Sequence, residues 1–139
     1  MNRPRILIVD DHSELLRHAT KLLESSFEIV GTAENGRELI SKTIELHPDV
    51  VVTDISMPQL DGIHAVSQLH ATGCDTRFVF LTVHVENEFI KACQHSGALG
   101  YVVKQRMRTD LVPAINEALC GRPFLSPGIA TDADATNVS

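Results

Sequence analysis

The chain has 139 residues, 43% hydrophobic and 22% charged, which suffices for one globular domain with a real core and is too short for two. Its 12 Lys and Arg against 18 Asp and Glu leave a net charge of -6, so no broad surface attracts a phosphate backbone and DNA binding by this chain alone is disfavoured. No apolar run approaches the roughly 18 residues of a membrane span, and the N-terminus enters a strand-like run rather than a signal peptide, so a cytoplasmic protein with no membrane partner is expected. Cys74, Cys93 and Cys120 lack C-x-x-C spacing and read as free thiols in a reducing compartment.

Short apolar runs alternate with segments of helical period, the pattern of an α/β fold. Strands are expected at 5–9, 28–33, 50–53, 78–81 and 100–103, and their continuous hydrophobicity suits a parallel sheet buried on both faces. In the first helix Leu15, Leu16, Ala19, Leu22 and Leu23 share one face, with Ser13 before them as N-cap. Asn35-Gly36-Arg37-Glu38 resembles a capping box opening a second helix, whose inner face is read as Leu39, Ile40 and Ile44 and which Pro48 ends. A third helix follows Asp61-Gly62, with Ile63, Val66 and Leu69 at helical spacing. A fourth runs from about Glu86 to Gly97, with Phe89, Ile90 and Cys93 inward, and this thin face marks it as the mobile helix of the domain. Thr109 is expected to cap a fifth, buried through Leu111, Val112, Ile115 and Leu119 and ended by Gly121, with Pro113 in its first turn. Every strand-to-strand connection contains a helix, so helices cover both faces and a site belongs at the carboxyl ends of the strands. Residues 122–139 have no period and read as a mobile tail or the start of an interdomain linker after a domain at 1–121.

Three carboxylates fall at strand ends: Asp10 and Asp11 after the first, Asp54 after the third. Any one alone reads as a turn former or helix cap. If the two strands are neighbours, the three meet, and crowded carboxylates with water access suit Mg²⁺. Thr82 and Lys104 stand at two further strand ends. Hydroxyl, ammonium and metal around one carboxylate are what formation of an acyl phosphate requires. His84, two residues after Thr82, reads as an exposed loop residue, Arg106 and Arg108 as a small solvated basic patch, and the seven histidines show no metal spacing.

Taken in order, Ile6-Leu7-Ile8-Val9-Asp10-Asp11-His12, Ala33-Glu34-Asn35-Gly36, Pro48-Asp49-Val50-Val51-Val52-Thr53-Asp54-Ile55-Ser56-Met57-Pro58, Asp61-Gly62, Leu81-Thr82 and Gly100-Tyr101-Val102-Val103-Lys104 resemble the receiver domains of bacterial two-component response regulators. The resemblance covers roughly residues 4–121. It implies a doubly wound, five-stranded parallel sheet of flavodoxin-like order 2-1-3-4-5 with five helices. It also implies that Asp54 is the phosphoacceptor for a sensor histidine kinase, and that Asp11, Asp54 and the main-chain carbonyl of Ser56 bind Mg²⁺, with Asp10 assisting through water. Lys104 would pair with the phosphoryl group, Thr82 would be the switch hydroxyl drawn to it, and Tyr101 the aromatic that reorients. The Asp-Asp-His start, the Gly-Tyr-Val-Val-Lys strand and the ending Gly121-Arg122-Pro123-Phe124-Leu125-Ser126-Pro127 resemble the NarL/FixJ (LuxR-type) branch. There a linker leads to a helix-turn-helix domain, which implies control of transcription through a DNA-binding domain absent from this chain and allows a homodimer on phosphorylation; the chain reads as a receiver excised from a longer regulator, with a natural single-domain regulator as the alternative. One departure is Gln105 where many receivers carry a proline, often with a cis bond; a non-proline cis bond costs about 2.5–4 kcal/mol, so a trans bond and a different loop are expected.

Such a domain would catalyse its own aspartyl phosphorylation and dephosphorylation without being a metabolic enzyme. A haloacid dehalogenase-type phosphohydrolase needs Asp-x-Asp, and here the second position after Asp10 is His12 and after Asp54 is Ser56. Intact Asp11, Asp54, Thr82 and Lys104 argue against a phosphorylation-independent binding module, and no dinucleotide or P-loop glycine motif occurs.

Overall fold

The continuous apolar runs become strands of one parallel sheet in a computed structural model that describes residues 3–128. In chain order the elements are β1 (Arg5–Val9), α1 (Ser13–Leu23), β2 (Glu28–Ala33), α2 (Gly36–Leu46), β3 (Val50–Thr53), α3 (Gly62–Ala71), β4 (Arg77–Thr82), α4 (Asn87–His95), β5 (Gly100–Val103), a 3-10 turn (Lys104–Arg106), α5 (Met107–Leu119) and β6 (Phe124–Leu125). The sheet order is β2-β1-β3-β4-β5-β6. The doubly wound, flavodoxin-like order is therefore as expected, with a sixth strand added at the β5 edge.

Strand alternation divides the core in two. Leu7, Val9, Val51, Phe78, Phe80 and Tyr101 face one side, packed with Leu39 of α2, Val66 and Leu69 of α3 and Ile90 of α4. Ile6, Ile8, Val50, Val52, Val79 and Val102 face the other, with Leu16 and Leu23 of α1 and Leu111 and Ile115 of α5. Cys93 lies in the first core as expected, and the three cysteines are free thiols. Among the described residues no helix is long and apolar enough to cross a membrane.

Several helix readings are corrected. His12, in extended conformation, is the N-cap of α1, and Leu16 N–H donates to its carbonyl at 3.1 Å, so Ser13 is already helical. Asn35 does cap α2, its side chain accepting from Glu38 N–H at 2.9 Å. Ile44, however, is 60% exposed and Thr43 occupies the inner face, its hydroxyl satisfied by donating to Leu39 O at 2.6 Å. Thr109 does not cap α5, because Lys104-Gln105-Arg106 winds without a break into Met107–Leu119. Pro113 thus falls mid-helix; both it and Thr109, whose carbonyl it leaves without a donor, are exposed, so water can satisfy that carbonyl. No cis peptide occurs among the described residues, so the Lys104–Gln105 bond is trans, and the loop after β5 is the 3-10 turn.

The stretch read as a mobile tail is ordered at 124–126. Phe124 and Leu125 pair in parallel with Gly100 and Tyr101, and Ser126 is 1% exposed. Its hydroxyl donates to Asp110 Oδ2 at 2.8 Å, and Arg106 grips the same carboxylate at 2.8 and 3.2 Å. No hydrophobic period announces so short a strand. The 129–139 part of the tail lies outside the described residues.

At the start of α3, Gly62 N–H donates to Ile55 O at 2.8 Å, and an added Cβ at Gly62 would stand 2.0 Å from the Asp54 carbonyl oxygen. Helix propensity would favour alanine by about 1 kcal/mol, but a backbone clash this close forces the loop from Asp54 to move, at about 1–3 kcal/mol or more. Gly62→Ala should therefore lower the urea midpoint; an unchanged or raised midpoint would contradict the close approach.

Burial alone would push the Asp110 carboxyl up, but the hydrogen bonds from Arg106 and Ser126 outweigh it and hold it below its ordinary 3.8. A depressed folded pKa stabilises above the unfolded value and that stability is lost as pH falls through the folded value. Seating of β6 should thus persist down to the ordinary value of 3.8 and fail only below it. Leu125 methyl NMR shifts followed through acid check this, and a transition centred well above that pH would contradict it.

Candidate functional site

Parallel strands all end on one edge, and here β1, β3 and β5 end in the groups of interest. Asp54 N–H donates to Val9 O at 3.0 Å, which sets the turn after β3 beside the turn after β1. The Asp10 and Asp54 carboxylates are consequently side by side and nearly buried, at 1% and 6% exposure. Lys104 reaches across from the end of β5, its Nζ 2.9 Å from Asp10 Oδ2 and 3.2 Å from Asp54 Oδ2. The other Asp54 oxygen, Oδ1, accepts from Ile55 N–H at 2.7 Å.

Two buried carboxylates share one ammonium. Burial pushes the Asp54 carboxyl above its usual range; Lys104 pulls it down and Asp10 pushes it further up, and the net direction is upward. For Lys104 burial works against the charged form, but the Asp10 and Asp54 contacts outweigh it and raise its pKa. Asp10 Oδ2 faces the Lys104 ammonium and makes no further hydrogen bond among the described residues, while Asp10 Oδ1 accepts from His12 N–H at 2.9 Å.

Asp11 sits at the mouth, its side chain 32% exposed, with His12 Nδ1 3.2 Å from its Oδ1 and 3.0 Å from Asp10 Oδ1. Asp10, Asp11, His12 and Asp54 can each offer one ligand atom, all within 4.8 Å of one another. The histidine escapes a search for paired ligand spacing because its partners are its own sequence neighbours. Ser56 is exposed and its hydroxyl meets His84 Nε2 at 3.1 Å rather than the carboxylates.

Thr82 ends β4 fully buried, and Tyr101 on β5 is 3% exposed. His84 joins them: its N–H donates to Thr82 Oγ1 at 3.2 Å, and its carbonyl accepts from the Tyr101 hydroxyl at 2.8 Å. Its ring stacks on Phe89 of α4, centroids 4.1 Å apart. The exposed-loop reading of His84 is corrected, since the residue ties β4, β5 and α4 together; its spacing from Thr82 alone carries no such signal. Arg106 is likewise not merely solvated but paired with Asp110, while Arg108 is exposed.

Comparison with known proteins places this arrangement. The family described as response regulator receiver domain matches residues 6–116. The chain is 35% identical over 128 residues to the response regulator GacA of Pseudomonas viridiflava, covering 91% of this chain and 60% of that protein. It is 33% identical over 122 residues to BvgA of Bordetella pertussis, covering 86% and 58%. The chain thus spans about three fifths of the length of these relatives. Among solved structures, a LuxR-family two-component response regulator from Aurantimonas sp. SI85-9A1 superposes with a TM-score of 0.89 at 31% identity over 99% of both chains. The signal receiver domain of NarL from Mycobacterium tuberculosis gives 0.84 at 26% identity, covering 88% of this chain and 100% of that one. Sequence coverage and fold agree: the chain belongs to the response regulator receiver domain family and lies in its NarL/FixJ (LuxR-type) branch.

Proposed function

We propose that the chain is a phosphorylation-operated switch in which Asp54 accepts a phosphoryl group from the phosphohistidine of a sensor kinase. The observation that carries this reading is the buried pair Asp10 and Asp54 around a single ammonium, two negative charges facing one positive charge. An all-oxygen set from Asp10, Asp11 and Asp54 fits a hard divalent cation such as Mg²⁺, with the main-chain carbonyl of Ser56 as a further ligand. Bound there, Mg²⁺ supplies charge to screen the incoming phosphoryl oxygens.

The rest is done by the chain's own side chains. Asp54, 6% exposed, presents its carboxylate largely free of bulk water, with one oxygen held by Ile55 N–H and the other facing Lys104. Its oxygen forms the bond to phosphorus as the phosphorus–nitrogen bond of the donor breaks. Lys104, fixed at Asp54, pairs with the transferred group and stabilises charge without reorganisation. The domain thereby catalyses its own phosphorylation and dephosphorylation. Thr82 Oγ1 is drawn toward the phosphoryl oxygens, and because His84 bonds both Thr82 and Tyr101, that movement repacks Tyr101 and α4. Relatives named as transcription regulators support an output on transcription through a DNA-binding domain beyond a linker. The setting for such signalling is the cytoplasm.

Incubation with phosphoramidate and Mg²⁺ should add the mass of one phosphoryl group, ammonia leaving, and Asp54→Asn should abolish it. An equal mass gain in Asp54→Asn would overturn the assignment. Thr82→Ala should still accept the group but transmit it poorly: NMR shifts of Tyr101 and His84 on phosphorylation should shrink relative to wild type, and identical shifts would contradict the coupling.

A further inference from the structure

Lys104 opens a 3-10 turn, Lys104–Arg106, that has no side-chain cap hydrogen bond of its own. Both of its flanks are held from elsewhere in the chain. At the entry, Val103 N–H donates to Ser126 Oγ at 3.1 Å. At the exit, Arg106 Nε and Nη2 donate to Asp110 Oδ2 and Oδ1 at 2.8 and 3.2 Å. The Ser126 hydroxyl donates to Asp110 Oδ2 at 2.8 Å, so both flanks meet on one hydroxyl–carboxylate pair. That pair is shut away from water, with Ser126 1% and Asp110 3% exposed.

Pairing of β6 with β5 delivers the serine to this place, and Ser126 N–H adds a bond to Tyr101 O at 3.0 Å. Leu125 packs against the core on the α4 side of the sheet and Phe124 against the core on the α1 and α5 side. If β6 merely completed the sheet edge, these apolar contacts and main-chain bonds would suffice. The hydroxyl does something they do not: it accepts from the residue immediately before the lysine and donates to the anchor of the residue two after it. Removing it leaves the buried Val103 N–H without an acceptor and Asp110 Oδ2 with Arg106 Nε as its remaining donor, which loosens the β5 end. The Lys104 ammonium is held 2.9 and 3.2 Å from two carboxylates, and a displacement of about 1 Å is enough to spoil that fit.

We infer that Ser126, acting through Val103 and Asp110, is a positioning residue for Lys104: seating of residues 124–126 holds the ammonium over Asp54 and sets how readily the site accepts a phosphoryl group. By linkage, the state of the site biases the seating of the segment that leads away from the domain. The inference rests on the reading of Asp54 as acceptor.

The test compares wild type, Ser126→Ala, Ser126→Thr and Leu125→Ala in the full chain. Three readouts are followed: amide exchange at Val103, the Lys104 ammonium resonance by NMR, and the rate of mass gain from phosphoramidate with Mg²⁺. Ser126→Ala should speed Val103 exchange and slow the mass gain, each roughly tenfold, and should broaden the Lys104 ammonium signal. Ser126→Thr, which keeps the hydroxyl, should restore all three toward wild type. Leu125→Ala weakens packing yet keeps the hydroxyl, so at a matched urea midpoint it should slow the mass gain less than Ser126→Ala does. An unchanged Lys104 signal and rate in Ser126→Ala, or an equal slowing in Leu125→Ala at the same midpoint, would overturn the inference. Wild type that gains no mass would instead refute the acceptor reading, while the ammonium signal would still decide whether Ser126 positions the lysine.

Discussion

The structure turns on one ammonium shared by two buried carboxylates. Removing Asp10 and Asp54 from water costs several kcal/mol per ion unless charge is returned locally, and Lys104 returns only one positive charge to the two. The neighbouring elements accommodate this unequal arrangement: the Asp54 turn is bonded to Val9, α3 approaches so closely that only Gly62 fits, and the Lys104 turn is pinned at both flanks. The upward push on the Asp54 carboxyl comes chiefly from burial, with Asp10 adding to it and Lys104 offsetting part of it. A pocket built this way favours any cation or charge-transferring group that relieves the deficit of positive charge.

Much of this was legible in the sequence because parallel strands bring their carboxyl ends to one edge. Once β1 and β3 are taken as neighbours, Asp10, Asp54 and Lys104 fall at one edge from their strand positions, and the order β1-β3-β4-β5 brings them into contact, with Thr82 ending the intervening β4. The less legible parts depend on pairings with no local period. Ser126 lies 16 residues from Asp110 and 23 from Val103, in a stretch whose two-residue strand is too short to show alternation. Thr43 looks polar and Ile44 apolar, yet the threonine is buried because its hydroxyl bonds back to Leu39, while the isoleucine faces solvent. His84 carried no signal because its role runs largely through its main-chain N–H and carbonyl, which every non-proline residue has.

The same geometry connects the site to two separate surfaces. On the proposed reading a change at Asp54 would reach α4 through Thr82, His84, Tyr101 and Phe89, and β6 through Lys104, Val103 and Ser126. The first route crosses the sheet toward a helix with only Ile90 and Cys93 fully buried, the second runs along the sheet edge. Both include hydrogen bonds with discrete partners, joined in the first by the His84–Phe89 ring stack, and those bonds can be made or broken rather than stretched, as a two-state element requires.

The central claim is that the carboxylate cluster is short of positive charge and takes a divalent cation to supply it. A ligand that binds only the folded state raises stability as its concentration rises above its Kd. The urea midpoint of the wild type should therefore climb with added Mg²⁺, while that of Asp11→Ala, which removes a ligand at the mouth without touching the buried pair, should stay nearly flat. A wild-type midpoint indifferent to Mg²⁺, or an equal climb in Asp11→Ala, would contradict the account.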